Sequence, residues 1–169
     1  PTPRNLTVGK LTALGRSGVN VKALYASPNA LYLTTLQGGG DIQRLPSNGT
    51  AWASIKSQFP NFVAGASLMA TDPSSADRLY VISALDPPTL YRSDDGGKTW
   101  RAVAEFAFTT EVTNFAVAPH ASSTLYISTD VGRVYRSTDS GASWQLVSAD
   151  AGRYRGQVAL FAPFAEAPN

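Results

Sequence analysis

Residues 137–144 read STDSGASW and residues 93–100 read SDDGGKTW, and these two stretches carry the most specific pattern in the chain. Both fit the pattern Ser-x-Asp-x-Gly-x-Thr/Ser-Trp, and each tryptophan opens a short apolar run. A third stretch, LPSNGTAW at 45–52, keeps the glycine and the tryptophan but has Ser47 in place of the aspartate. All three tryptophans of the chain therefore occupy one repeat position, at spacings of 48 and 44 residues: Trp52, Trp100 and Trp144. A period of about 20 to 50 residues indicates a repeat architecture.

Further markers share this register. An arginine stands eight residues before each tryptophan: Arg44, Arg92 and Arg136. A Leu-Tyr pair lies upstream of each arginine: Leu31-Tyr32, Leu79-Tyr80 and Leu125-Tyr126. A proline after small residues recurs at spacings of 45, 46 and 44 residues: Pro28, Pro73, Pro119 and Pro163. Agreement among independent markers argues against a chance repeat.

Each repeat has the texture of four short β-strands. Residues 112–147 read VTNFAVAP, TLYIST, RVYRS and WQLV, separated by HASS, DVG and TDSGAS, and such runs parted by turn residues are typical of a strand meander. Four-stranded units of about 45 residues in series are typical of β-propeller blades. The sequence predicts an all-β propeller segment with blades at 20–55, 63–103 and 112–147, and a first strand of a further blade at 156–169.

The tryptophan-terminated turns resemble the Asp-box, or bacterial neuraminidase repeat. Proteins with this motif include sialidases and other glycosidases, sortilin-type receptors and non-catalytic photosystem II stability and assembly factors. The resemblance implies a structural turn between the third and fourth strands, away from the usual ligand face. It gives this role to ten residues: Ser93, Asp95, Gly97, Thr99, Trp100, Ser137, Asp139, Gly141, Ser143 and Trp144. In the degenerate first copy only Gly49 and Trp52 carry it.

Composition excludes several classes of function. The 169-residue chain has no cysteine, which excludes disulfides, thiolate metal sites and a cysteine nucleophile. Its one histidine, His120, predicts neither a multi-histidine metal centre nor a catalytic triad. A formal net charge of +2, spread without blocks, does not predict nucleic-acid binding. No apolar run is long enough to span a membrane. We expect no cofactor and no metal.

Candidate catalytic residues are few. Arg44-Leu45-Pro46 resembles the Arg-Ile-Pro motif of sialidases, but the recurrence of Arg44 in every repeat favours a packing role. Glycosidases need two carboxylates about 5 to 10 Å apart, and Glu105 and Glu111 are the candidates for such a pair. Asp86 and Asp130 are one repeat apart and are interpreted as turn residues. We therefore predict no catalytic residue, and keep part of a glycoside hydrolase as the alternative and a carbohydrate-binding lectin as the second.

The leading hypothesis is a non-enzymatic scaffold for protein binding or assembly. The connections between blades are rich in aromatic and arginine side chains, which interfaces favour. They supply the candidate contacts Phe59, Phe62, Phe106, Phe108, Arg153, Tyr154 and Arg155, with packing beneath the loops as the alternative for each phenylalanine. The open arc predicts that another chain, a second copy or further residues of the same polypeptide complete the ring. About three and a half blades per copy favour the other two sources over a second copy. The residue composition and the resemblance both predict an exported protein.

Overall fold

The computed structural model describes residues 20–35, 40–55, 66–83, 87–106 and 111–149. These residues form twelve strands in three four-stranded antiparallel sheets, and no helix occurs among them. Within each sheet the strands neighbour one another in chain order, as in a meander. The prediction of an all-β chain with about three four-stranded units is confirmed. Phe59, Phe62, Phe108, Arg153, Tyr154, Arg155, Asp86, Pro163 and the strand predicted at 156–169 lie outside the described residues.

The three sheets follow one another along the chain. The first contains β1 Val21–Ser27, β2 Ala30–Thr35, β3 Ile42–Pro46 and β4 Ala53–Ser54. The second contains β5 Ala66–Thr71, β6 Leu79–Ser83, β7 Thr89–Ser93 and β8 Arg101–Glu105. The third contains β9 Val112–Ala118, β10 Ala121–Thr129, β11 Val134–Ser137 and β12 Gln145–Ser148. The first strand of the second sheet, β5, lies beside β1 on one side and β9 on the other, so the sheets are arranged around their first strands.

One predicted connection is wrong. HASS at 120–123 was expected to be a loop, but β10 already begins at Ala121, which pairs with Ala118 across a two-residue turn. The register then shifts between Ala121 and Leu125. The residues between them are therefore extended backbone with an irregular ladder, a conformation that the turn-forming serines Ser122 and Ser123 do not reveal in the sequence.

Two cores form between the sheets because adjacent residues on a strand point to opposite faces. In the second sheet Leu79 and Tyr80 are both fully buried, yet they lie in different cores. Leu79 packs toward the first sheet together with Trp100, and Tyr80 packs toward the third sheet together with Leu90. We call the side of a sheet that faces the following sheet its forward face (Tyr32 and Ile42; Tyr80 and Leu90; Tyr126 and Val134), and the other side its backward face (Leu31, Leu79 and Leu125).

Candidate functional site

The β7–β8 turn, residues 93–100, is organised by the carboxylate of Asp95, and we call it the Asp95 turn. The Ser93 hydroxyl donates to Oδ1 at 2.8 Å, and the Thr99 hydroxyl donates to Oδ2 at 2.6 Å. The backbone N–H groups of Lys98 and Thr99 donate to Oδ1 at 3.0 and 2.9 Å. Ser93 Oγ also accepts from the N–H of Gly97 at 2.9 Å. The side chains of Ser93, Asp95 and Thr99 therefore bond within the turn itself.

The β11–β12 turn, residues 137–144, repeats this arrangement, and we call it the Asp139 turn. The Ser137 hydroxyl donates to Asp139 Oδ1 at 2.7 Å, and the Ser143 N–H donates to the same oxygen at 2.9 Å. The Ser143 hydroxyl donates to Oδ2 at 2.5 Å. In both turns the indole N–H of the tryptophan donates back to the turn glycine, Trp100 to Gly97 O at 3.1 Å and Trp144 to Gly141 O at 3.0 Å.

These hydrogen bonds control the ionisation of both aspartates. Burial raises the pKa of Asp95, but donation from the Thr99 hydroxyl, the backbone and Ser93 outweighs it and lowers the pKa to about 2. Donation from the Ser143 hydroxyl, the Ser143 N–H and Ser137 lowers the pKa of Asp139 to about 2. Both carboxylates are thus held ionised as hydrogen-bond acceptors. A general acid needs a raised pKa, so neither aspartate suits that role.

The turn glycines lie against the preceding sheet. Gly97 and Gly141 have φ values of 89° and 95°, which side chains other than glycine rarely adopt. A Cβ on Gly97 would lie 2.8 Å from Ile55 Cδ1 of the first sheet region, and a Cβ on Gly141 would collide with Leu90 of the second sheet. Each turn therefore packs into the forward face of the sheet before it, and only glycine allows this close approach.

Backbone bonds join these turns to the residue that lies two positions before the Leu-Tyr pair of the same sheet. Gly96 N–H donates to Asp77 O at 2.9 Å, and Ser140 N–H donates to Ser123 O at 2.8 Å. In the first sheet the Ser47 N–H donates to Asn29 O at 2.9 Å, although Ser47 replaces the aspartate of the motif. The degenerate copy therefore keeps a bond to the equivalent carbonyl, but from a donor one position earlier in the turn. The three turns lie at one end of the strands. The hairpins between second and third strands lie at the opposite end of the strands.

Two of the repeat arginines, Arg44 and Arg92, contact a tyrosine, and Arg92 also pairs with a turn carboxylate. Arg44 Nε donates to Tyr32 Oη at 3.4 Å, and Tyr32 Oη in turn donates to Gly96 O of the Asp95 turn at 3.3 Å. Arg92 donates to Asp94 Oδ1 at 2.6 Å, and its guanidinium lies 5.9 Å from the Tyr80 ring centroid. Arg44 therefore lies in the contact between the first two sheets, as its recurrence in the repeat led us to expect.

A buried aspartate that sequence reasoning did not single out joins the second and third sheets. Asp72 is fully buried after β5. Its Oδ1 accepts from the Ser74 N–H at 2.8 Å and from the Ser122 hydroxyl at 3.1 Å, and its Oδ2 faces Arg78 at 3.3 Å. Asp-Pro-Ser at 72–74 carries the signal of an aspartate-capped turn. Ser122 thus serves Asp72, while His120 is exposed in the β9–β10 turn.

The candidate contact residues divide between the core and the part of the chain that is not described. Phe106 is only 3% exposed and its ring centroid lies 5.6 Å from that of Trp144, so it is a core residue. The prediction of a contact role for Phe106 is therefore wrong, and the packing alternative holds for it. Glu105 at the end of β8 and Glu111 before β9 are both exposed. Asp130 is exposed in the β10–β11 hairpin, where its N–H donates to Glu111 O at 3.0 Å.

A groove of about 190 Å³ lies beside the Asp95 turn. It is lined by Arg92, Asp94, Asp95, Thr99, Trp100 and Arg101. Asp94 in this groove is already paired with Arg92 and, at 2.8 Å, with Arg78. Over the described ranges, no group of three or more His, Asp or Glu side chains is placed to hold a metal ion. The same residues include no helix that could cross a membrane.

Comparison with known proteins places the chain among β-propellers. The family model for sortilin, neurotensin receptor 3 (Sortilin-Vps10) matches residues 88–164. No curated protein matches the chain in sequence. A xyloglucanase of glycoside hydrolase family 74 from Xanthomonas campestris has a similar structure, with a TM-score of 0.61 and 23% identity over 76% of this chain. YCF48 bound to D1 peptide gives a TM-score of 0.60 and 14% identity, also over 76% of this chain.

A third similar structure is PorZ of Porphyromonas gingivalis, with a TM-score of 0.54 and 15% identity over 83% of this chain. The chain spans only part of each: 20% of the xyloglucanase, 40% of YCF48 and 21% of PorZ. At these identities the likeness defines the fold alone. The three sheets are therefore three blades of a β-propeller, as the repeat predicted.

Proposed function

We propose that this chain is part of an exported β-propeller that acts as a non-enzymatic scaffold for protein binding or assembly. In this proposal the Asp95 and Asp139 turns are Asp-boxes with a structural role, and the first-sheet turn at Gly49 and Trp52 is a degenerate copy. The observation that carries the proposal is that the side chains most suited to catalysis are already hydrogen-bonded within the chain. The carboxylates of Asp95 and Asp139 and the guanidinium of Arg44 all bond to neighbouring residues.

One of the structural comparisons supports a peptide or protein partner. YCF48, which resembles this chain in fold, was solved bound to a D1 peptide, and an extended peptide is a ligand that a rigid β scaffold can hold. PorZ is described as a bacterial surface component of a secretion system, which supports an exported location. We place the binding surface at the end of the strands that carries the β2–β3, β6–β7 and β10–β11 hairpins, opposite the Asp-box turns. Arg153, Tyr154 and Arg155 remain its candidate contacts.

Part of a glycoside hydrolase is the second candidate, and the xyloglucanase likeness favours it. A glycosidase needs a proton donor and a second carboxylate at a fixed separation. Glu105 and Glu111 flank the connection between the second and third sheets, and both are exposed. If this connection contributes to an active site, these two residues supply its carboxylates.

Two assays on the purified chain decide between the candidates. In the first, fluorescence polarisation measures binding of a labelled library of extended peptides, and we expect micromolar binding of a subset. Arg153→Ala and Arg155→Ala are expected to weaken that binding, and Lys98→Ala in the Asp95 turn serves as the control at the opposite end of the strands. No peptide bound by the folded chain, or equal loss in all three variants, would contradict the proposed surface.

The second assay measures hydrolysis of xyloglucan oligosaccharides, aryl glycosides and sialosides. The scaffold proposal predicts no turnover. Turnover that is lost in both Glu105→Gln and Glu111→Gln, with an unchanged circular dichroism spectrum, would establish the glycosidase instead.

A further inference from the structure

Among the described residues, exposed large hydrophobic side chains occur only in the two outer sheets. Five large hydrophobic residues among the described ranges are substantially exposed. Leu24 (61%) and Val21 (53%) lie in the first sheet, and Val131 (53%), Leu146 (49%) and Val147 (47%) belong to the third. The second sheet contributes none of them. It is the sheet with a described neighbour on both sides. Leu146 pairs with Tyr135 of the backward face, and Val131 lies in a hairpin. Leu24 on the backward face of the first sheet and Val147 on the forward face of the third therefore mark one open face on each outer sheet.

The open face of the third sheet carries the residues that bind the next sheet elsewhere in the chain. Tyr126 and Val134 occupy the repeat positions of Tyr80 and Leu90, which are fully buried against the third sheet. In the third sheet the same two positions are only half-buried, and the repeat arginine Arg136 is exposed. The forward face of the third sheet therefore has the residues of a sheet-to-sheet interface, but none of the described sheets covers it.

The position of Val147 indicates which residue of another blade would contact this face. Val147 lies three residues after its tryptophan, as do Ile55 and Val103. Ile55 packs against Gly97, and Val103 packs against Gly141, at 2.8 and 3.6 Å from the positions of their missing Cβ atoms. In both cases the contact is with the turn glycine of the following sheet. Val147 is therefore positioned for the turn glycine of another blade.

The complementary half of such an interface lies on the backward face of the first sheet. Leu24 pairs with Leu33 across β1 and β2, as Met69 pairs with Val81 and Phe115 with Ile127. Phe115 contacts Tyr80 of the preceding sheet edge to face, with ring centroids 6.0 Å apart. Leu24 thus occupies the position that meets the forward-face tyrosine of a preceding sheet.

We propose that the forward face of the third sheet (Tyr126, Val134, Arg136 and Val147) docks on the backward face of the first sheet (Leu24 and Leu31) in a second copy of this chain. In this interface Tyr126 meets Leu24, and Val147 meets Gly49 of the other copy. The occupant is a second copy because each open face lacks the partner residues that the other open face of the chain presents.

Symmetry supports this assembly. Two copies of three blades make six, which is within the range of about four to eight blades that closed propellers have. The two interfaces are then identical and related by a two-fold axis along the centre of the ring. The sequence analysis favoured other sources for the rest of the ring because it predicted about three and a half blades per copy. The described residues form three four-stranded sheets, and two copies of these described sheets fit a ring with two-fold symmetry. The strand predicted at 156–169 lies outside them and stays a prediction.

Sedimentation and charge substitution test the proposal. The wild-type chain is expected to sediment at micromolar concentration with twice its 17.9 kDa mass. Tyr126→Asp and Leu24→Lys are each expected to raise the dimer dissociation constant by about 30-fold or more, as for loss of a central anchor. Mixing the two variants is expected to restore the dimer. One interface of the mixed dimer is then wild-type, and the other pairs the introduced carboxylate of one variant with the introduced ammonium group of the other.

Val131→Asp is the matched control, since Val131 is as exposed as Val21 but lies in the β10–β11 hairpin outside the docking face. It should leave the dimer unchanged. Circular dichroism on every variant separates loss of association from loss of folding. A monomeric wild-type chain would overturn the proposal, and so would a dimer that resists both substitutions or is not restored by mixing. Peptide binding by the chain is measured separately, so the scaffold function and the dimer can fail independently.

Discussion

The phenol hydroxyl of Tyr32 lies 3.3 Å from the carbonyl oxygen of Gly96 and joins the first sheet to the Asp95 turn of the second. Tyr32 is fully buried, so this hydrogen bond is shielded from water. Tyr80, at the same repeat position in the second sheet, is equally buried, but within the described part of the chain its hydroxyl has no hydrogen-bond partner. The two equivalent tyrosines therefore differ in the hydrogen bonding of their hydroxyl groups, since that of Tyr32 also accepts from Arg44 Nε.

Tyr32→Phe should lower the free energy of unfolding by about 1 to 3 kcal/mol, because it leaves the buried Gly96 carbonyl without its donor. Tyr80→Phe is the matched control. It removes a hydroxyl that is buried without a partner, and we expect it to be neutral or stabilising. Urea unfolding followed by tryptophan fluorescence measures both variants. An equal loss in the two would show that removal of the buried hydroxyl itself, and not its hydrogen bond to Gly96, explains the effect.

Gly141→Ala should destabilise the chain more than Gly96→Ala. Both substitutions place alanine at positive φ, at 95° and 72°, which costs about 1 to 2 kcal/mol. Only at Gly141 does the new Cβ also collide with Leu90, whereas at Gly96 the nearest atom is Asp77 Oδ1 at 3.3 Å. The difference between the two variants therefore measures the cost of the collision.

A double-mutant cycle assigns that difference. Combined with Leu90→Ala, Gly141→Ala should cost less than it does in the wild-type background, because the truncated side chain leaves room for the new Cβ. Additive losses measured by urea unfolding would show that Leu90 is not the obstacle.

Stability should fall when the pH drops below the ordinary range of aspartate. The pKa of both Asp95 and Asp139 is lowered to about 2 in the folded chain from a usual 3.8. A depressed pKa in the folded state contributes stability that is complete above pH 3.8 and is lost as the pH falls toward 2. The urea midpoint, measured between pH 5 and pH 2, is expected to decline across this window.

Ser143→Ala tests the origin of the acid dependence. The Ser143 hydroxyl is the largest cause of the low pKa of Asp139, so its removal should raise that pKa and narrow the pH window in which Asp139 contributes stability. Asp139→Asn should remove this residue's share of the acid dependence altogether. A pH profile of the urea midpoint that is the same in both variants and the wild type would show that the Asp139 turn does not control acid stability.

Asp72→Ala should lower the free energy of unfolding by about 1 to 3 kcal/mol or more, because it leaves the Ser74 N–H, the Ser122 hydroxyl and Arg78 without their buried acceptor. Asp94→Asn is the control, since its side chain is 45% exposed and surface ion pairs contribute below about 1 kcal/mol. Thermal unfolding measures both. A larger loss in Asp94→Asn would show that the exposed partner of Arg78 contributes more to stability than the buried partner, Asp72.

Local patterns in the sequence determined the fold class. A turn of Ser-x-Asp-x-Gly-x-Thr/Ser-Trp needs only its own residues, because Asp139 bonds to Ser137 and Ser143 within the turn. Strand alternation likewise placed the Leu-Tyr pairs on opposite faces of one strand, which requires a neighbour on each side. Three repeats of these features predicted three four-stranded blades, and the structure has them.

Contacts between blades were decided only by tertiary structure. Asp72 and Ser122 are 50 residues apart in the chain, and no local pattern shows that a turn aspartate will meet a serine of the next sheet. Phe106 was expected at a contact surface because its connection is aromatic-rich, but it packs against Trp144 of the following sheet. The burial of a side chain depends on which sheet lies over it, and that is fixed by how the sheets stack. Tyr80 and Tyr126 are equivalent in the sequence repeat. The third sheet covers Tyr80 and buries it, whereas no described sheet covers Tyr126, which is only half-buried.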